Sequence, residues 1–413
     1  MIIELIREFF RDMNSHRMRT VLTLIAITWG TMSVVLLLAF GEGFGTAMRN
    51  GMVNAWNRVL IVYGGETGKV YQGLPKGRGV NLEESDVTLL KATVPNIVMI
   101  SPQYRKNAEL FYGKTRLTTE CEGAGPDFEV MRAMYPEAGG RFIDANDIKY
   151  QKRSLFLGYE IAGDLFKGEN PIGKTVMLDN VPFTVIGIME KKLQTSMNNG
   201  PDSRRAVIPY STFRMIYGYE HINTILIKAA SPSMQTRMIS DIRQVLGRKY
   251  RFDPTDERAV GIFDTMMIDE IIKKVSLGVN IFLGVVGFFT LMIAGVGVAN
   301  VMYVVVKERT REIGIEIAVG AKRVHILSQF VFEALFLSLL GGTLGLLLSW
   351  GIVYAMSFVN TSSGPMQFLG RPILSIGIML FTVIVLTLIG LFAGVFPARR
   401  AAGVDPVESL RYE

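Results

Sequence analysis

The sequence predicts an α-helical membrane protein with four transmembrane helices and a large mixed α/β extracytoplasmic domain inserted between helices 1 and 2. Three observations carry this. Four apolar runs, approximately Thr20–Phe40, Leu277–Val306, Phe330–Met356 and Ile373–Phe396, are free of Lys, Arg, Asp and Glu apart from Glu333. Each exceeds the roughly 20 residues a helix needs to cross about 30 Å of hydrocarbon. Basic residues gather on alternate flanks of these runs, and about 230 residues, enough for a domain with its own core, separate the first run from the second.

The chain opens with a segment, 1–19, whose first thirteen residues place Ile2, Ile6, Phe9, Phe10 and Met13 on one helical face and Arg7, Glu8, Arg11 and Asp12 elsewhere. That pattern predicts an amphipathic helix lying in the membrane interface, either a simple anchor or a lever that feels a cytoplasmic partner. The first span, 20–40, is longer than the apolar core of a secretory signal, and no small-x-small cleavage pattern precedes Gly41, so it reads as a retained anchor. Arg7, Arg11, Arg17 and Arg19 precede it; Lys307, Arg309, Arg311, Lys322 and Arg323 lie between spans two and three; Arg399, Arg400 and Arg411 follow span four. The loop at 357–372 carries only Arg371. The positive-inside rule then places both termini in the cytoplasm and residues 41–276 outside, in a multi-pass protein of the cell (inner) membrane. The net charge of +7 is spread over these flanks and a mixed-charge outer domain, and no nucleic-acid partner is expected.

Within 41–276, Asn180–Met189 has the β-branched and aromatic content of a strand after an Asp-Asn turn, and Ala206–Ile208 and Thr224–Lys228 read as further strands. Glu83–Thr93 and Ser231–Leu246 read as helices. Gly64–Gly79, rich in glycine and without periodicity, reads as a mobile loop. Cys121 is the only cysteine, so no intramolecular disulfide forms, and a small packing role is expected for it. His16, His221 and His325 are scattered, and no metal-ligand spacing, GxSxG, HExxH or GxxxxGK[ST] pattern occurs. The expectation is a non-catalytic chain with no cofactor or metal of its own.

Span two (277–306) contains Gly284, Gly287, Gly295 and Gly297. Spans three and four carry Gly341-x-x-x-Gly345 and Gly390-x-x-x-Gly394, small-xxx-small patterns that suit close helix packing within one chain or between two. Intramembrane charge, the mark of an ion path, is nearly absent. The segment 307–325 between spans two and three (326–356) holds five basic and three acidic residues from Lys307 to Arg323. Ile313 and Ile317 share a helical face there, Glu308, Arg311 and Glu312 project from others, and Gly320 reads as a helix stop. An apolar ridge with charged flanks suits a groove on a partner protein. The plainer reading, a solvated basic loop, accounts for the Lys and Arg residues but not for Ile313-Gly314-Ile315 or the interleaved acids. After the short loop 357–372 and span four (373–396), a tail at 397–413 returns to the cytoplasm.

Four segments together resemble the MacB/FtsX-type permeases of ABC transporters, the type VII or mechanotransmission family. They are Asn14–Thr20 (NSHRMRT) before span one; Leu165–Lys174 and Phe183–Gly187 in the outer domain; Glu308–Ile315 with Gly320-Ala321; and Pro397–Ala402 with Asp405-Pro-Val407. Where the family commonly has a basic residue after Gly-Ile, this chain has Glu316. The resemblance covers nearly the whole chain. It implies a MacB-like periplasmic core domain and an FtsX domain, with Glu308, Arg311, Glu312, Ile313, Gly314, Ile315, Glu316, Gly320 and Ala321 as the surface that couples to an ABC ATPase. It implies ATP-Mg in that partner ATPase subunit, a second permease subunit (a homodimer), and a periplasmic adaptor with an outer-membrane channel. Nineteen residues before span one leave no room for a fused ATPase, so a separate ATPase chain is expected. The function implied is transmission of ATP-driven motion to the periplasmic domain for export or efflux of peptides, drugs or similar cargo. Lipoprotein release in the LolC/LolE manner, or FtsX-like signalling to a cell-wall hydrolase, are the alternatives.

Overall fold

A computed structural model describes residues 17–55, 58–194, 200–359 and 370–403. The expected interfacial helix up to residue 16 and the tail beyond 403 lie outside these residues. The chain divides into two compact units, Met48–Ile272 and Met1–Ala47 with Lys273–Glu413. The first is slightly shorter than the 41–276 expected, because helix α1 (Arg17–Ala55) and helix α8 (Thr265–Glu308) are longer than the apolar runs within them.

The inserted unit is built on one mixed sheet of strands β1 (Leu60–Gly64), β2 (Ile97–Tyr112), β3 (Thr115–Ala124), β4 (Ser154–Leu157), β5 (Thr175–Leu178), β6 (Val181–Ile188), β7 (Arg205–Pro209), β8 (Thr224–Ala229) and β9 (Val260–Asp264). Their order is β3-β7-β4-β6-β5-β2-β8-β1-β9, with β3 also pairing to β2 so that part of the sheet closes on itself. Strands β1, β4, β7 and β8 are short and buried on both faces. Their period of two divides them between two cores. Leu60, Leu155, Leu157, Ile208 and Ile227 enter one, while Ile61, Phe156, Val207 and Leu226 enter the other. Helices α2 (Glu84–Thr93), α5 (Tyr159–Phe166), α6 (Tyr210–Tyr217) and α7 (Gln235–Tyr250) contribute Leu90, Ile161, Phe213 and Ile242 to the first core. The short α3 (Phe128–Met131) contributes Phe128 and Met131 to the second, and α4 (Ala145–Lys149) is fixed by a capping box between Asp144 and Asp147.

The strand expected over Asn180–Met189 is β6 (Val181–Ile188), joined to β5 (Thr175–Leu178) by Asp179 and Asn180, both at positive φ (45° and 65°) as a two-residue hairpin turn requires. The helices at Glu83–Thr93 and Ser231–Leu246 are present as α2 and α7, the latter displaced toward Tyr250 behind a short turn at Pro232–Met234. The Gly64–Gly79 loop is not loose. Thr67 exchanges backbone bonds with Arg78 (2.9 Å) and Gly77 (2.6 Å), and the Asp256 carboxylate accepts from the amides of Gly68 (2.6 Å) and Lys69 (3.0 Å). The hairpin of β2 (Ile97–Tyr112) and β3 (Thr115–Ala124), which forms the spine of the sheet, is absent from the sequence reading. β9 (Val260–Asp264) closes the other edge. Cys121 is fully buried on β3, where burial pushes its thiol pKa up.

One polar cluster is enclosed in this unit. Arg132 pairs with Asp202 and Arg205 with Glu122, all four side chains essentially solvent-free. Lys192 donates to Asp202 (2.7 Å) and to the Arg132 carbonyl (2.6 Å), and Gln103 donates to Glu122 (3.0 Å). Burial alone would raise the Asp202 pKa, but Arg132, Lys192 and Arg205 outweigh it and hold the carboxyl at about 2. Burial lowers Lys192 to about 8 against the pull of Asp202.

Among the described residues the second unit contains four helices long and apolar enough to cross a membrane: α1, α8, α10 (Arg323–Ser357) and α11 (Ile376–Ala402). Their glycines permit the packing. A Cβ at Gly341 would stand 2.8 Å from the Ile27 side chain, and one at Gly345 would stand 2.8 Å from the Thr28 carbonyl, so α10 lies close against α1. A Cβ at Gly390 or Gly394 would meet Ser338 or Ala334, each at 2.8 Å, joining α11 to α10. Both small-xxx-small patterns therefore pack within one chain.

Candidate functional site

The charged segment between the second and third spans folds as a separate helix, α9 (Thr310–Ala318), after a one-residue break at Arg309. Thr310 Oγ1 donates back to the Val306 carbonyl (3.0 Å), and the Ile313 amide bonds to Arg309 (3.0 Å), so the turn from α8 into α9 keeps its hydrogen bonding. The far end is closed by Gly320. Its φ is +105°, and the Ala321 amide reaches the Glu316 carbonyl (2.9 Å) while the Gly320 amide reaches Ile317 (3.0 Å). This is the 6→1 and 5→2 pairing of a Schellman cap, which favours glycine at that position.

The expected coupling residues do not all share one surface. Glu308, Arg311, Glu312, Ile315 and Gly320 are exposed, and Glu316 and Ala321 are half-buried. Ile313 is only 3% exposed, within the helical core that includes Val306, Ile326, Phe330 and Ala398, and Gly314 is buried beside it. The Ile313/Ile317 face expected to dock on a partner therefore secures α9 to its own bundle. The apolar residues turned to solvent are Ile315 (46%), Val319 (85%) in the turn before α10, and Val324 (75%) in the first turn of α10. Lys307, Arg311, Lys322 and Arg323 surround them, all exposed.

Several residues that sequence pattern attributed only to topology hold this helix in place. Arg19 at the start of α1 binds Glu308 at the end of α8 through two bonds, 2.8 and 3.0 Å. Such a paired geometry fixes direction as well as distance. Arg309 lies over the Phe330 ring, 5.7 Å from its centroid, donates to Glu312 (3.1 Å) and lies 4.0 Å from the Glu333 carboxylate. Glu333, the one acid within an apolar run, is thus balanced at the same end. No sequence signal links Arg19 to Glu308, since 289 positions separate them.

The arrangement offers an apolar patch flanked by charged residues. Among the described residues no group of His, Cys, Asp and Glu could hold a metal ion.

Comparison with known proteins places residues 20–245 in a MacB-like periplasmic core domain and 284–406 in an FtsX-like permease C-terminal domain. A macrolide export ATP-binding/permease protein, MacB, of Chlorobium phaeobacteroides is 29% identical over 411 residues, 98% of this chain and 60% of that protein. The pyoverdine export ATP-binding/permease protein PvdT of Pseudomonas aeruginosa is 30% identical over 413 residues, 99% of this chain and 58% of the relative. The chain thus spans about three fifths of the length of the curated relatives it matches. The crystal structure of the periplasmic region of MacB from Actinobacillus actinomycetemcomitans aligns with 55% of this chain and 97% of its own, at 20% identity and a TM-score of 0.43.

Proposed function

The chain belongs to the family of permeases that join a MacB-like periplasmic core domain to an FtsX-like permease domain, and on that premise we propose that it passes ATP-driven motion of an ABC ATPase to its inserted domain to drive export. The observation that carries this is α9. It is a short capped helix with its inner face fixed to the bundle, Ile315 exposed on its outer face, and Val319 and Val324 exposed just beyond its end among basic residues. Arg19–Glu308 ties its base to the start of α1. A push on α9 would therefore reach α1 and α8 together, and those two helices flank the inserted domain in the sequence. ATP-Mg would bind in the ATPase partner. Two copies of the permease per complex and hand-over to a periplasmic adaptor and outer-membrane channel complete the reading. The export names of the relatives support export as the broad activity, and cargo of the peptide or drug kind falls within it.

The test is reconstitution with the cognate ATPase. Ile315→Asp and Val319→Asp are expected to keep the fold and abolish stimulation of ATPase activity by the permease. Full stimulation and full export in both variants would refute the coupling role of α9.

A further inference from the structure

Before it enters α11, the chain at 370–374 crosses the half of α1 distal from Arg19, backbone against backbone. The Ile373 amide donates to the Ala39 carbonyl (2.9 Å). A Cβ on Gly43 would collide with the Arg371 carbonyl. One on Gly370, whose φ is +72°, would collide with the Gly43 carbonyl and stand 2.8 Å from the Ala47 Cβ. Neither glycine can take a side chain while the two segments lie this close. Ala39, Ala47 and Pro372 are buried in the crossing. Ser375 then caps α11, its hydroxyl oxygen accepting from the Ile378 amide (3.3 Å), so the strap is fixed to the first turn of that helix.

Ala47 is the last residue of α1 in the helical unit, and the inserted unit begins at Met48. The strap therefore grips α1 at the point where a displacement would leave the bundle. It is also the weakest hold on that helix. Near the other end Arg19 makes two charge-assisted bonds to Glu308 (2.8 and 3.0 Å), and between the two Ile27 packs into the space left by Gly341. The strap contributes one backbone bond, worth about tenfold at most in an equilibrium, and contact with small residues. Its departure strands no buried acceptor, because the Ala39 carbonyl lies inside α1 and keeps a helical partner.

We propose, on the reading that α9 transmits ATP-driven motion, that residues 370–374 are a catch on α1, closed in this structure, which must open for that motion to reach the inserted domain. While closed, the Ile373–Ala39 bond and the Gly43–Gly370 contact hold α1 to α11. Opening frees the last turns of α1 before Met48 and leaves the packed contacts of α10 with α1 and α11 in place.

The test is hydrogen–deuterium exchange, read by mass spectrometry, on the full chain assembled with its cognate ATPase in nanodiscs. The peptide covering 370–375 is expected to exchange at least tenfold faster with a non-hydrolysable Mg-ATP analogue bound than without nucleotide. Equal exchange in the two states would overturn the catch. Whether the α9 reading falls too is decided separately, by ATPase stimulation in Ile315→Asp, whose loss only that reading requires. Ala47→Cys with Gly370→Cys supplies a lock, since the two Cβ positions lie within reach of a disulfide and Cys121, the only native cysteine, is fully buried. Oxidation of this pair is expected to cut permease-stimulated ATP hydrolysis at least tenfold, and reduction to restore it. Undiminished hydrolysis by the linked protein would show the strap to be a fixed tie and overturn the proposal equally.

Discussion

Asp202 faces three cations in the inserted domain, Arg132, Lys192 and Arg205, with no access to water. Removing one member of such a buried group leaves uncompensated charge, which costs about 3–5 kcal/mol. Asp202→Asn is therefore expected to lower the denaturation midpoint far more than a surface Asp→Asn change would. The pH dependence has a definite sign. The folded pKa of Asp202, about 2, lies below the ordinary 3.8, so its contribution is complete above pH 4 and is lost as pH falls from there toward 2. Thermal unfolding of Asp202→Asn should lose part of the acid sensitivity of the parent. Lys192 acts at the other end of the scale. Its pKa falls from 10.5 to about 8 on folding, so between those values the unfolded chain binds the proton more tightly and stability rises with pH. That rise, read from pH 8 to about 9.5, should disappear in Lys192→Met. An unchanged slope in that variant would remove Lys192 from the account.

At the scale of elements, α9 separates two jobs that periodicity alone cannot. Ile313 and Ile317 fall on one helical face in the sequence, and that much was legible. Whether the face meets a partner or the parent bundle depends on Ile326, Phe330 and Ala398, which reach it from α10 and α11; no local pattern encodes that choice. Ile313→Asp is thus expected to unfold or misplace α9, costing the several kcal/mol of an unpaired charge in a core, whereas Ile315→Asp should leave the midpoint within about 0.5 kcal/mol. Equal destabilisation by the two would contradict the burial pattern. The cap at Gly320 was legible too, because glycine after an apolar-periodic run is a local signal. Gly320→Ala is expected to cost about 1–2 kcal/mol through its left-handed backbone. The β2–β3 hairpin escaped because its residues follow no clean alternation. Arg105, Glu122 and Gln103 serve a buried polar cluster, so charge appears where a strand pattern calls for apolar residues. The transmembrane glycines lie between these cases. Spacing flagged Gly341 and Gly345, but only the approach of Ile27 and Thr28 identifies α1 as their partner. Gly345→Leu should overpack that contact by about 1–3 kcal/mol, seen as a lower midpoint in detergent.

For the whole molecule, the four spans and the inserted domain follow from hydropathy and length, which act over tens of residues and survive any local misreading. Orientation rests on the basic flanks. Arg19, Lys307, Arg311, Lys322, Arg323, Arg399 and Arg400 all lie near the ends of helices at the α9 side, and cytoplasmic retention of Lys and Arg predicts that this side faces inward. The chain supplies a clean way to test it. Its only cysteine is fully buried, with burial pushing the thiol pKa up. Since the thiolate is the reactive form, the parent should give almost no labelling with a membrane-impermeant maleimide while folded. Val70 is 68% exposed in the inserted unit, and Val319 is 85% exposed beside α9. Val70→Cys is expected to label on intact spheroplasts, and Val319→Cys only after the membrane is permeabilised. Labelling of Val319→Cys from outside, with Val70→Cys protected, would invert the topology. An inward-facing inserted domain could not act in the periplasm, so the same result would end the proposed direction of force from α9 outward.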